Sequence, residues 1–117
     1  MNFAFSESEQ AVASLSRKIF TDRVTPALLK AVEAEDDRFA RGLWKDLADA
    51  GLLATALPES VGGSGHGLME LVALLQEAGA AVAPIPLFAT LLLGALPIAR
   101  FGSEAQQSRW LPGVGAG

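Results

Sequence analysis

Residues 78–99 form a run of 22 amino acids without a charged side chain, in a chain of 117 residues. The first 50 residues carry 16 of the 22 charged side chains, so the charge is concentrated in one half of the chain. A helix at the surface of a globular protein has a polar face as well as an apolar one. The second half therefore predicts helices that other parts of a larger protein cover.

A run of this length is also long enough to cross a membrane. Two prolines placed two residues apart end a helix, and the helix left after them is short for a bilayer. No cluster of Lys or Arg flanks the run to set an orientation. We therefore expect no membrane span; the interrupting residues are Gly79, Pro84, Pro86, Gly94 and Pro97.

The composition, with 50% hydrophobic and 19% charged residues, fits one ordered domain rather than a disordered chain. The absence of cysteine excludes disulfides and thiolate metal sites, and it fits a cytoplasmic location. The net charge of −4 argues against a nucleic-acid partner. Residues 1–10 lack the basic segment of a secretory signal, so none is expected.

Two capping boxes mark helix starts near the two ends of the chain. Ser6 with Glu9 opens the first helix, and Ser103 with Gln106 opens the last, because each pair satisfies amides that a helix N-terminus leaves free. Pro26 is expected to bend or split the first helical segment.

Helical spacing of apolar residues predicts three further helices, over residues 40–50, 68–78 and 87–100. Gly51 supplies the left-handed residue that closes the first of these. The fold class predicted is all-α, a bundle of four to five helices. It forms one domain over residues 1–112, with the last helix ending at Pro112 and residues 113–117 forming a linker.

The glycine-rich segment 62–67 follows an apolar run and precedes a helix, which suggests a dinucleotide-binding loop. Its glycines Gly63, Gly65 and Gly67 alternate, however, whereas the phosphate-binding motif needs Gly-x-Gly-x-x-Gly and a second strand after the helix. A surface turn that uses positive φ angles is the better interpretation.

His66, Glu70 and Glu77 are the residues of the third predicted helix that could ligate a metal. A bundle metal site draws ligands from several helices, and the chain has no second histidine, so a solvated polar stripe is the expected outcome. No nucleophile with a matching base is present either. From the residues alone, a non-catalytic helical interaction module therefore remains an alternative to part of an enzyme.

Five segments, in order and at matching spacing, resemble the N-terminal domain of acyl-CoA dehydrogenases. The most specific piece is the connection Gly-Leu…Pro-Glu-x-x-Gly-Gly-x-Gly, present here from Gly51 to Gly65. The others are residues 3–10, residues 39–47, residues 76–79, and residues 100–107 with Trp110, Leu111 and Pro112.

The resemblance implies an FAD enzyme that forms an α,β-double bond in an acyl-CoA, built as helical domain, β-domain, helical domain. In that family a glutamate base removes the α-proton and lies in the C-terminal helical part, and most flavin contacts come from the β-domain onward. The 117 residues would stop before that β-domain. The resemblance thus implies that these 117 residues carry no catalytic residue and bind no FAD by themselves, and the segment alone is expected to be inactive.

The resemblance also implies that the fourth helix supplies one wall of the acyl pocket. By position relative to Pro97, that wall would be Ala89, Thr90 and Leu93, with Pro86 near its mouth. The implied partners are an acyl-CoA substrate, the β-domain and the C-terminal helical domain, within a homo- or hetero-oligomer. Acyl-CoA oxidases and some flavin monooxygenases share this domain and remain alternatives.

Overall fold

The computed structural model describes all 117 residues and contains helices and turns but no strand. The all-α prediction is therefore confirmed. The α-helices are α1 (Glu7–Arg23), α2 (Pro26–Glu33), α3 (Arg41–Asp49), α4 (Leu68–Ala81), α5 (Leu96–Phe101) and α6 (Glu104–Ala116). A 3₁₀ turn covers Glu59–Val61, and a π-helix, Phe88–Ala95, runs without a break into α5. We call this continuous segment the π–α helix.

Both predicted capping boxes are present. At the first, the Ser6 Oγ accepts from the Glu9 amide at 3.3 Å, and the Glu9 carboxylate accepts from the Ser6 amide at 2.7 Å. Pro26 starts α2 with Thr25 as its N-cap, so the first predicted segment is two helices. Proline is well suited to that position because its missing N–H has no partner there in any helix.

Helices α1 and α4 form the most extensive helix pair of the fold. The buried face of α1 contributes Val12, Ala13 and Phe20 to the main core, and α4 contributes Ala73 and Leu74. The 52–57 run consists of turns rather than a strand, but its leucines are buried and connect α3 to the rest of the core.

Helix α6 is longer than the sequence predicts. It continues through Pro112 to Ala116, so the expected helix end at Pro112 is wrong. Packing offsets the hydrogen bond that the proline removes: Leu111 is fully buried, and a Cβ at Gly115 would lie only 3.2 Å from the Ala54 Cβ. The division into residues 1–112 and a linker of residues 113–117 toward a β-domain stays a prediction.

The uncharged run of residues 78–99 is covered in part by the chain itself. Leu87 and Leu91 are buried in the main core, whereas Phe88 is 55% and Leu93 is 62% exposed. The molecule measures 41 × 39 × 20 Å, which is about two helices thick, and so most helices can bury only one side. No helix combines the length and the apolar character that a bilayer crossing requires.

Candidate functional site: the exposed face of the π–α helix

Pro97 offers a reason for the π-helical first part of the π–α helix, which ends two residues before it. In a regular α-helix the proline would lack a hydrogen bond and its ring would clash with the carbonyl of Leu93. The structure instead shifts to the wider register before the proline, and the Leu96 amide donates to the Leu91 carbonyl five residues back. Such π turns are rare and often lie at functional sites.

The four residues predicted for the acyl wall lie beside the π-helix and within it. Pro86, Ala89 and Leu93 are exposed, and Thr90 is half-buried. The opposite side of the same helix holds Leu87, Leu91 and Ala95 in the interior. The predicted wall is thus a solvent-facing, mostly apolar strip backed by a packed core, which leaves its side chains free to contact another body.

A cleft that the sequence analysis missed adjoins this strip at Pro86. The Ala40 amide donates to the Pro84 carbonyl at 3.1 Å, which holds the 37–41 segment beside the 83–86 link. The cleft between the two segments has a volume of about 530 Å³. Its two sides lie more than 40 residues apart in the sequence, so no local pattern could have identified it.

The glycine-rich segment 62–67 is a structural turn. Its amides at Gly63, Ser64, Gly65 and His66 all donate to carbonyls of residues 54–58, at 2.9 to 3.1 Å. A Cβ at Gly63 would lie 2.0 Å from the Leu57 carbonyl oxygen, so this glycine is required by close backbone packing. Because these amides are already paired, they are not available to a phosphate group.

The two glutamates of the predicted polar stripe face α1, so the prediction that they are solvated is wrong, whereas His66 is exposed as predicted. Glu70 is only 8% exposed; its carboxylate accepts from the Ser8 hydroxyl at 2.8 Å and from the Gly67 amide at 3.0 Å. Glu77 forms a two-bond pair with Arg17, at 2.6 and 3.1 Å.

These contacts set the charge state of the α1–α4 junction. The Ser8 hydrogen bond holds the pKa of Glu70 below its ordinary value, although burial opposes the shift. The hydrogen bond from Arg17 to Glu77, together with their attraction, raises the pKa of that arginine. His66 Nδ1 lies 3.7 Å from the Glu70 carboxylate, but no group of three ligating side chains converges here. The stripe therefore joins α1 to α4.

Comparison with known proteins places this geometry in context. Residues 6–117 match the family profile described as acyl-CoA dehydrogenase, N-terminal domain. The acyl-CoA dehydrogenase FadE27 of Mycobacterium tuberculosis is 39% identical over 110 residues, which are 94% of this chain and 30% of that protein.

Two solved structures are similar over almost the whole chain. The Tcur3481-Tcur3483 steroid ACAD shares 48% identity with a TM-score of 0.90 and is matched over 95% of this chain and 30% of its own. The ChsE4-ChsE5 complex from Mycobacterium tuberculosis shares 36% identity with a TM-score of 0.94, over 99% and 32% of the respective chains. The 117 residues thus span about a third of these relatives.

Proposed function

Because the chain belongs to the acyl-CoA dehydrogenase family, as its N-terminal domain, we propose that it acts as part of an enzyme that introduces an α,β-double bond into an acyl-CoA. The single observation that carries this proposal is the family match over residues 6–117. The curated relative described above is named as a dehydrogenase, which favours this activity over an oxidase. The proposed location is the cytoplasm, in keeping with a chain free of cysteine.

FAD is the cofactor proposed for the intact enzyme, where it would accept the β-hydride. The glycine-rich turn of this chain does not fit a flavin pyrophosphate site, because its amides at residues 63–66 already donate to carbonyls of residues 54–58. We place the FAD site and the catalytic base in segments beyond these 117 residues, and we expect the segment alone to be inactive.

The proposed contribution of this chain is one wall of the acyl pocket, formed by Pro86, Ala89, Thr90 and Leu93. Ligand pockets are lined mostly by apolar side chains with few polar groups, and this strip fits that pattern, with the Thr90 hydroxyl as its one polar side-chain group. Support comes from the exposure of Ala89 and Leu93 on a helix whose other side is packed, and from the exposure of Pro86 just before that helix.

The proposed substrate class is an acyl-CoA with a bulky, ring-containing acyl group. Ala89, Thr90 and Gly94 are small residues on this part of the π-helix, so they would leave room for a bulky group bound there. The similarity to a steroid ACAD supports the same class. The two solved relatives are each named as a pair of proteins, and we propose that the intact enzyme likewise assembles with a second, related chain.

The test is a steady-state measurement of kcat/KM on the full-length enzyme with its partner chain. Leu93→Ala should shift the preference toward larger acyl groups, and Ala89→Leu toward smaller ones, because each methylene of misfit changes the ratio about tenfold or more. Ala27→Leu, an exposed alanine on α2, is the matched control and should leave the profile unchanged.

The same assay separates the proposal from its alternatives. A dehydrogenase passes electrons to an added acceptor and releases little hydrogen peroxide, whereas an oxidase releases peroxide with each turnover. If both wall variants keep the dependence of kcat/KM on acyl-group size that the parent enzyme shows, these residues do not line the pocket. A full-length protein that turns over no acyl-CoA at all would contradict the proposed activity itself.

A further inference from the structure

A valine in the left-handed region of backbone conformation ends α4. Val82 has a φ of +53°, and Arg38 is the only other non-glycine residue of the chain with a positive φ. For a β-branched residue this conformation is an outlier, because its Cβ crowds the backbone. The Val82 side chain is 70% exposed, so little packing within this chain offsets the strain. A glycine would adopt the same conformation without strain, so the fold alone does not explain the valine.

Two hydrogen bonds at the end of α4 impose the left-handed conformation. The Val82 amide donates to the Gly79 carbonyl at 3.2 Å, and the Ala83 amide donates to the Ala78 carbonyl at 3.0 Å. Together these bonds form a Schellman motif, which places a left-handed residue directly after a helix and most often uses glycine there. The positive φ is therefore set by the helix end and not by the valine side chain.

The link that follows connects this turn to the exposed strip. Residues 83–86 include two prolines, whose rings fix φ at about −65°. The Pro84 carbonyl accepts from the Ala40 amide at 3.1 Å, and the Pro86 carbonyl accepts from the Thr90 amide at 3.0 Å. A link this short and stiff has few ways to bend. The direction in which the chain leaves the turn therefore determines where Pro86 lies.

Valine restricts that direction more than glycine would. Once the hydrogen bonds of the helix end require a positive φ, a residue with a Cβ has one small allowed region, whereas glycine has a wide range. Val82 thus costs stability and narrows the conformations that are open to the turn. Strained residues that the surrounding structure holds in place are concentrated at functional sites.

We propose that Val82 is a positioning residue, whose strained turn holds the 83–86 link in one direction and so places Pro86 at the mouth of the acyl wall. This rests on the proposed function, in which the strip that begins at Pro86 forms that wall. Val82 acts through the link and not by contact with the substrate. Its replacement by glycine should therefore weaken the discrimination between acyl groups without weakening the fold.

The experiment is Val82→Gly in the full-length enzyme with its partner chain. The melting temperature should stay the same or rise, because the relief of strain offsets the greater freedom of glycine in the unfolded chain. The ratio of kcat/KM for cyclohexylpropanoyl-CoA to that for octanoyl-CoA should nevertheless fall about tenfold, the smaller effect of one methylene of misfit. The loss should lie in KM for the ring-containing substrate with kcat unchanged, because the wall contacts the acyl group equally in the ground and transition states.

Hydrogen exchange gives a readout that does not depend on turnover. The Ala83 and Ile85 amides donate to the Ala78 and Ala83 carbonyls, and both should exchange faster in Val82→Gly. Val82→Ile keeps a β-branched side chain, so it should retain the discrimination and the slow exchange. Ala80→Gly is the matched control, since it places a glycine at an exposed position within α4; it should lower the melting temperature and leave the discrimination unchanged.

The other outcomes overturn the inference. A lower melting temperature in Val82→Gly would show that the valine side chain is packed in the intact enzyme, so that contact and not turn geometry explains it. Unchanged discrimination in Val82→Gly would show that the strained turn has no part in specificity. A parent enzyme that turns over no acyl-CoA would refute the proposed function itself, whatever the exchange of Ala83 and Ile85 shows.

Discussion

Replacing Glu70 with glutamine tests whether the α1–α4 junction depends on a buried negative charge. The carboxylate accepts two hydrogen bonds, from the Ser8 hydroxyl and from the Gly67 amide, at 2.8 and 3.0 Å. Hydrogen bonds to charged groups contribute about 1.5–3 kcal/mol each, and neutral ones about 0.5–1.5 kcal/mol. Glu70→Gln retains the shape but not the charge, so the free energy of unfolding should fall by about 2 kcal/mol.

Part of this free energy should depend on Ser8, which lies 62 residues earlier in the chain and donates to the Glu70 carboxylate. Ser8→Ala should cost about 1–2 kcal/mol, and the double variant should cost about 1 kcal/mol less than the sum of the two single ones. The measurement is urea denaturation followed by tryptophan fluorescence at one fixed protein concentration. Glu33→Gln, which removes an exposed charge at the end of α2, should change stability by less than about 0.5 kcal/mol.

The pH dependence gives a second readout with a definite sign. Because the pKa of Glu70 is lowered in the folded chain, its contribution is complete above the ordinary glutamate pKa of about 4.3. It is lost as the pH falls through the lower, folded-state pKa. The stability difference between the wild-type chain and Glu70→Gln should therefore shrink on acidification. A difference that stays constant from pH 7 downward, or single costs that simply add, would refute a charge-based junction.

The remaining predictions concern glycines and the exposed face. Gly63→Ala should lower the free energy of unfolding by about 3 kcal/mol or more, because the added Cβ would overlap the Leu57 carbonyl. Gly79→Ala should raise the free energy of unfolding by about 0.5–1 kcal/mol, because this residue is helical and the added Cβ would meet no atom within 4 Å. Urea denaturation compares the two, and equal effects would contradict the contact geometry. The 117-residue chain should self-associate at micromolar concentration through residues such as Phe88 and Leu93. A single monomeric species in ultracentrifugation, together with no binding of a dye for apolar surfaces, would contradict this prediction.

Local signals explain why most helix boundaries could be predicted from the sequence. Ser6 and Ser103 cap their helices through residues three positions away, so the whole motif lies within one turn. Gly51 has a φ of +76°, as its place after α3 predicts. The sequence predicts too early an end for α6, because Pro112 is a local stop signal. The packing of Leu111 and Gly115 overrides that signal.

Long-range pairing explains why the sequence alone predicts solvated glutamates on α4 and the structure does not. Glu70 and Glu77 look like surface residues by composition, since glutamate is seldom buried without a partner. Their partners, Ser8 and Arg17, lie 62 and 60 residues away on α1. Only the packing of α1 on α4 brings the pairs together. The error is therefore one of tertiary context and not of helix assignment.

The π-helical register of residues 88–95 is a feature that composition does not specify. A regular helix through residues 87–101 would bring the Pro97 ring against the Leu93 carbonyl, and the wider π turn relieves that clash. Ala89 and Leu93 lie outside, while Leu87 and Leu91 enter the core. An apolar strip held on a helix whose register is widened at some cost, and backed by packed leucines, has the rigidity that a pocket wall requires. Pro97→Ala should return the helix to a regular register and alter the strip in the full-length enzyme.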